Sequence, residues 1–410
     1  MRLVLDNGVR LIIQEHRASD VVALHLWVGA GGRDERAGEL GFSHFVEHML
    51  FKGTASRGPG FVEREIEGVG GRSNAGTSLD YTFYYMLLPA GRAAQGIEML
   101  ADMAFRSVFD PTEIERERRV IFEEVRLGQD NPGRSLIREL YALVFDGYPY
   151  GRPVLGEESA LKAASRERLQ SYYKGHYVPE NMAMIVVGAV KPEEIRTITL
   201  RAFGSVPATG FGRAQLTPPP ALERGRRKEV RRPEQQASLG LGWAAPPLDH
   251  ADALAVDLLA SILGGSKSSR LNQSLRERRR LVSSVRASYA ALQTGGILSV
   301  TAQMEPEDLE QVERVILEEI RRIQTEGVSE AERQRALIAA ESQHAFSTET
   351  AEGLAYAYGA AETVWRLDAE LRYLENLRAV HRQQIQEAAR RYLQADRYAR
   401  VSFVPREPKR

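Results

Sequence analysis

The sequence predicts an α+β protein of two domains of similar fold, each a mostly antiparallel sheet with helices packed on it. Three observations lead there. Helix-patterned and strand-patterned segments mix along the chain without the regular βα repeat of a parallel doubly wound sheet. The chain has 410 residues, well beyond the roughly 150 that one domain ordinarily takes. A stretch rich in proline, glycine and charge, residues 206–233, interrupts it near the middle. The expected division is therefore a first domain over 1–205, a linker over 206–233 and a second domain over 234–410.

The first domain opens as a hairpin. LVL and VRLII flank Asp6-Asn7-Gly8, and Asn-Gly supplies the positive φ angles of a tight two-residue turn. Residues 21–30 alternate like a half-buried strand that Gly31-Gly32 ends. A helix over about 42–51 follows, with Phe42, Phe45, Val46, Met49 and Leu50 apolar and Gly53 as the stop beyond it. Residues 62–69 read as helical, 81–88 as extended, 91–106, 112–128 and 134–146 as helical, and 182–190 as a strand. In the linker, the basic run from Arg224 to Arg232 is expected as solvated chain or an edge strand rather than an anion site. Then come a strand (237–243), two helices around Gly264-Gly265, strands near 281–303, long helices to about 393 and a last strand, 400–404. Both halves run strand, helix, strands, helical stretch, strand, which suggests an ancient duplication.

Composition excludes several functions. With 43% hydrophobic and 27% charged residues the chain is of the globular class. Its 55 basic residues balance 55 acidic ones, so no excess of positive charge draws nucleic acid or an anionic membrane. No stretch is long and apolar enough to span a bilayer, and the N-terminus has no secretory pattern, so a cytoplasmic location is expected. The absence of cysteine removes disulfides, thiolate zinc sites and cysteine nucleophiles together. Any metal must be held by histidines and carboxylates.

Residues 44–48 read His-Phe-Val-Glu-His. On a helix this places His44 and His48 one turn apart on one face, where both imidazoles can reach one metal. Glu47 lies beside them, able to reach a metal-activated water without completing the metal shell. A hydrolytic zinc takes three protein ligands and keeps one position open, so a further His or carboxylate must come from elsewhere. The other histidines, His16, His25, His176, His250, His344 and His381, form no second cluster in the sequence.

These residues resemble the inverzincin peptidases, the family of pitrilysin, insulin-degrading enzyme and the mitochondrial processing peptidase. GFSHFVEHMLFKGT (41–54) is similar to their zinc helix, which implies zinc held by His44 and His48 with Glu47 as general base. ERERRVIFEEVRLGQDNP (115–132) is similar to their second signature, whose third ligand lies about 76 residues beyond the second histidine; that selects Glu124 over its neighbour Glu123. Glu117, two turns before Glu124, then takes the place of a supporting acid. RSNAGTSLDYTFYYMLLP (72–89) resembles an edge strand that pairs with extended peptide substrate, implying Asn74 and Ala75 as substrate contacts. YYKGHYVPENMAMIVVGAV (172–190) also matches, in a structural role.

LGGSKSSRLNQSLRERRRL (263–281) is similar to the family's second-domain signature, where an Arg and a Tyr seven residues later hold substrate and stabilise the oxyanion. Arg276 takes the Arg position, but Ser283 stands where the Tyr would be, and Tyr289 is six residues further on. The resemblance therefore implies the metal-bearing subunit of a two-chain zinc metallopeptidase, with two domains around a cavity that admits short or unfolded peptides. The partner would be a second chain of the same family supplying an Arg-Tyr pair, or a homodimer mate. The alternative is a non-catalytic scaffold or peptide-binding subunit of a processing complex.

Overall fold

The structure, a computed structural model, describes residues 1–406 and has the expected α+β architecture with two mixed sheets. Eleven strands form them: β1 (Arg2–Val4), β2 (Arg10–Glu15), β3 (Val21–Val28), β4 (Arg72–Thr77), β5 (Thr82–Pro89), β6 (Met182–Gly188), β7 (Arg226–Arg232), β8 (Ala237–Ala245), β9 (Ser284–Ala291), β10 (Gly296–Met304) and β11 (Ala399–Pro405). The first sheet has the order β1-β2-β6-β3-β5-β4, the second β7-β11-β8-β10-β9. Apart from β1 the two orders are one topology: β2 to β6 correspond in turn to β7 to β11. Each sheet has one parallel pair, β2 with β6 and β7 with β11, and is otherwise antiparallel. The two halves thus share a strand order although their residue identities show no repeat.

Helices α1 (Phe42–Leu50), α2 (Phe61–Glu65), α3 (Ala93–Arg106), α4 (Pro111–Asp130), α5 (Pro132–Val144), α6 (Glu158–Lys162), α7 (Arg166–His176) and α8 (Pro192–Phe203) belong to the first half of the chain. The second half carries α9 (Ala253–Gly264), a π-helical stretch (Asn272–Arg278), α10 (Leu309–Glu326), α11 (Glu330–Thr348), α12 (Ala351–Val364), α13 (Leu367–Leu371), α14 (Tyr373–Arg378) and α15 (Arg382–Tyr392). The opening turn differs from expectation in one respect. Gly8 alone takes a positive φ, +95°, while the Asn7 amide instead donates to the Phe203 and Val206 carbonyls at 2.9 and 2.8 Å.

The chain forms two compact units that do not follow the contiguous boundaries 1–205 and 234–410. One comprises 1–126, 152–215 and 344–371; the other 127–151, 216–343 and 372–410. The first unit has therefore taken α12 and α13 from the second half of the chain, and the second unit α5 from the first. In the first, α12 lies on the sheet, where Ala351 and Ala355 pack with Ile12, Ala23, Trp27, Ala183, Ile185 and Val187. Arg2 clamps it through two bonds to Glu362, at 2.9 and 3.0 Å. In the second, α5 lies on β8, where side chains at Gly240 and Gly242 would meet Leu136 and Leu140 at 3.3 and 2.9 Å. Hydrophobic patterning shows that a helix has an apolar face but not which sheet will cover it, so sequence alone did not place the exchange.

The linker is also shorter than 206–233, because its basic run forms β7 at the edge of the second sheet. The cations there are paired locally: Arg226 with Asp146, Arg227 with Glu313, Lys228 with Glu139 and Arg232 with Glu234. A charged strand of this kind blunts an exposed sheet edge.

In the first unit the main core lies between the sheet and helices including α1, α3, α7 and α8, with Leu11, Leu24, Leu26, Tyr84, Met86 and Val186 facing them. No helix among the described residues is long and apolar enough to cross a membrane.

Candidate metal centre

Helix α1 buries Phe42, Phe45, Val46, Met49 and Leu50 almost completely, each such side chain contributing roughly 1.5–3 kcal/mol as an upper estimate. That burial fixes the rotation of the helix and brings His44, Glu47 and His48 to its other flank. Gly41, at φ +94°, turns the chain into the helix. Buried Glu35 then accepts the Gly41 and Ser43 N–H groups, both at 2.8 Å, in place of an N-cap side chain.

Helix α4 supplies the carboxylates. Glu113, Ile114, Glu117 and Ile121 form its buried stripe, and Glu124 lies on the continuation of that stripe, two turns beyond Glu117. Glu124 Oε2 is 3.4 Å from His44 Nε2 and 3.6 Å from His48 Nε2, and the two Nε2 atoms are 3.3 Å apart. One ligand atom from each of the three residues lies within 4.8 Å of the other two. Glu123 points elsewhere, exposed and paired with Arg126 at 2.9 Å.

Glu117 takes the His48 Nδ1 hydrogen at 2.9 Å and is itself paired with Lys52 at 2.9 Å. Burial opposes ionisation of Glu117, but the hydrogen bonds from His48 and Lys52 outweigh it and hold its carboxyl below the usual range. Burial likewise works against a charged His48; the bond to Glu117 and the charges of Glu124 and Glu47 overcome it and raise its pKa in the metal-free site. His44 is lowered to about 3, by burial first and then by His48, so it is a neutral imidazole with a lone pair to give.

Half-buried Glu47 is pushed up by burial, opposed by a hydrogen bond from Thr77 and by His48, and assisted by Glu124. Thr77 Oγ1 donates to Glu47 Oε2 at 2.5 Å. Thr77 ends β4, whose residues Asn74 and Ala75 stand opposite Tyr85 and Tyr84 of β5. Among the described residues no strand pairs with the other side of β4, the last strand of its sheet. Asn74 is exposed, and its Oδ1 accepts the Ala75 N–H at 2.9 Å. Ala75 is half-buried against the core.

The structure therefore brings together His44, Glu47, His48, Glu117 and Glu124, and puts Asn74 and Ala75 on the strand that contacts α1. Arg276 belongs to the second unit, exposed within the π-helical stretch. Ser283 is held at the start of β9, its N–H on the Gln303 carbonyl at 2.9 Å. The Tyr289 hydroxyl donates to the Pro246 carbonyl at 2.7 Å. Thr77, Lys52 and Glu35 were not among the sequence candidates. No local pattern around Thr77 points to a partner 30 residues earlier.

This fold and this His-His-Glu group define a protein of the M16, pitrilysin-like, peptidase family in its short form, to which the chain belongs. The family description "Insulinase (Peptidase family M16)" matches residues 10–158, and "Peptidase M16 inactive domain" matches residues 163–339. Among its relatives, the chain is 30% identical to "Uncharacterized zinc protease YmxG" of Bacillus subtilis over 331 residues, 81% of this chain and 80% of that one. It is 32% identical to an "Uncharacterized zinc protease" of Rickettsia felis over 333 residues, again 81% and 80%. A protease from Helicobacter pylori has the same fold, with a TM-score of 0.92, 22% identity and 99% of each chain covered. So does a "peptidase M16 inactive domain" from Pseudomonas fluorescens, with a TM-score of 0.89, 20% identity, and 100% and 99% covered.

Proposed function

We propose that the chain is a zinc metalloendopeptidase that hydrolyses short or unfolded peptides. The observation that carries this reading is the convergence of His44, His48 and Glu124 beside the carboxylate of Glu47. Two imidazole nitrogens and one carboxylate oxygen are the donor set of a hydrolytic zinc with an open position. The Glu117 bond on His48 Nδ1 leaves Nε2 as the ligating atom. Zinc, when bound, supplies a Lewis acid for the attacking water and the scissile carbonyl.

The remaining work falls to the chain. Glu47, raised in basicity by burial, takes a proton from the water as its oxygen bonds to the carbonyl carbon. It returns that proton to the departing nitrogen as the C–N bond breaks. An extended peptide would add to β4 as a further strand, main chain to main chain at Asn74 and Ala75, which suits a broad range of sequences. Oxyanion stabilisation is the part this reading assigns to a partner: Arg276 stands in this chain without a tyrosine at 283, and a second chain of the same family would supply a complete Arg-Tyr pair.

Hydrolysis of a quenched fluorescent peptide by the purified chain with zinc, beside Glu47→Gln, tests the reading. Cleavage that a chelator abolishes and Glu47→Gln loses supports a sufficient site in this chain. Zinc-bound silence that a partner chain relieves supports the shared site, and silence in both arms leaves a peptide-binding or scaffold role.

A further inference from the structure

We infer that Thr77 is a positioning residue for the proton-transferring carboxylate, holding Glu47 through a hydroxyl carried on the same strand that would receive the peptide. The inference rests on the peptidase reading above and adds a residue to it.

A hydroxyl has one hydrogen to give. Thr82, across from Thr77 in the β4–β5 pair, gives its hydrogen to the Ala30 carbonyl at 2.9 Å. The two threonine oxygens are 3.4 Å apart, a spacing at which neither draws the other's hydrogen strongly. Thr77 is left to donate to Glu47, at 2.5 Å, a length typical of a hydroxyl on an ionised carboxylate.

The donor is rigidly mounted. Residues 78–81 close the hairpin with the Ser78 N–H on the Tyr81 carbonyl at 2.8 Å. The Gly32 and Arg33 N–H groups bond the Ser78 and Leu79 carbonyls at 3.1 and 2.9 Å. Gly31 is pressed so close that a Cβ there would lie 2.5 Å from the Ser78 oxygen and 2.7 Å from the Tyr81 nitrogen. Buried Asp80 pairs with buried Arg33 at 3.3 Å, and Arg213 bridges Asp34 and the Asp80 carbonyl at 2.6 and 2.7 Å. Thr77 therefore cannot follow a wandering glutamate. It selects one carboxylate orientation from the several a glutamate side chain can reach, and that ordering is in place before substrate arrives.

Asn74 and Ala75 precede Thr77 on this one strand. A peptide paired at Asn74 and Ala75 is thereby registered against the same backbone that fixes the base. The offset between scissile carbonyl and Glu47 then runs through four residues of one strand, Asn74 to Thr77, and one hydrogen bond.

Thr77→Val removes the hydroxyl with little change of shape, and Thr77→Ser keeps it. Four quantities are compared with the unsubstituted chain: kcat, KM, zinc content, and affinity for a labelled peptide of D-residues that is not cleaved. Thr77→Val is expected to lose about 10- to 100-fold in kcat, the scale of a misplaced catalytic group, with KM, zinc content and peptide affinity unchanged. Thr77→Ser should recover most of the loss. Wild-type kcat in Thr77→Val, an equal loss in Thr77→Ser, or loss of zinc from Thr77→Val would each overturn the assignment while leaving the peptidase reading intact. An unsubstituted chain that holds zinc and cleaves nothing, alone or with a partner chain, overturns both.

Discussion

His48 and Glu117 are joined at 2.9 Å through the imidazole nitrogen that faces away from the metal position, and Glu117 is backed in turn by Lys52. The ring is thereby held in one tautomer and one orientation. A residue that touches no metal should still govern how well metal is held. Glu117→Ala is expected to weaken zinc binding by about 10- to 100-fold, the usual range for such supports. Competition against a chromophoric chelator measures this, and zinc affinity equal to that of the unsubstituted chain would show that the bond is incidental.

Glu123 and Glu124 are chemically identical neighbours with opposite roles expected. Glu124→Gln should purify with little zinc, since its Oε2 lies within 3.6 Å of both imidazole Nε2 atoms. Glu123→Gln should purify with the full complement, losing only an exposed ion pair to Arg126 that contributes about 0–1 kcal/mol. Metal analysis of the two proteins decides it, and the reverse pattern would reassign the third ligand.

His25 makes stability depend on acid. It lies on β3, 1% exposed, stacked on Tyr85 at 5.3 Å, and among the described residues neither ring nitrogen has a hydrogen-bond partner. Burial lowers its pKa to about 3, whereas the unfolded chain takes up the proton near pH 6.5. Below that value the unfolded state binds more protons, so stability falls as pH falls from 6.5 towards 3, by up to about 1.4 kcal/mol per pH unit. His44, also near 3 in the metal-free protein, adds a similar slope. In zinc-free protein, denaturant titrations between pH 6.5 and 4.5 should show a shallower decline for His25→Leu than for the unsubstituted chain. Parallel declines would mean that His25 is charged or solvated in the fold.

Gly359 lets α12 approach the first sheet closely: a Cβ there would lie 1.9 Å from Trp27 Nε1. Alanine is the better helix former by about 1 kcal/mol, yet Gly359→Ala should destabilise the protein by about 1–3 kcal/mol through overpacking against a fully buried tryptophan. Thermal unfolding gives the sign directly. A raised melting temperature would mean that α12 is only loosely seated.

Much of the centre was legible because its chemistry is local. His44, Glu47 and His48 lie within five residues, and helical geometry alone sets them on one flank. Glu124 required resemblance, since adjacent glutamates on one helix are told apart only by what the helix packs on. Thr77 was illegible for a different reason: its bond to Glu47 joins a strand to a helix 30 residues earlier, and nothing in RSNAGT announces that partner. The fold shows the same division. Strand and helix patterns fixed the class, whereas the placements of α5 and α12 depend on which sheet each helix covers. Helices α7 and α8 flank the one expected element of that region, the strand over 182–190, and neither was expected.

Because α5 and α12 are traded, neither half of the gene encodes a finished sheet. The outer surface of each is written in the other's coding sequence, so the two halves are not independent heritable parts. Substitutions at Gly240 or Gly242 must be matched by changes at Leu136 or Leu140, and those at Trp27 by changes near Gly359. Recombination between homologues at the natural midpoint would separate every one of these pairs, which makes the connector a poor place to shuffle the family.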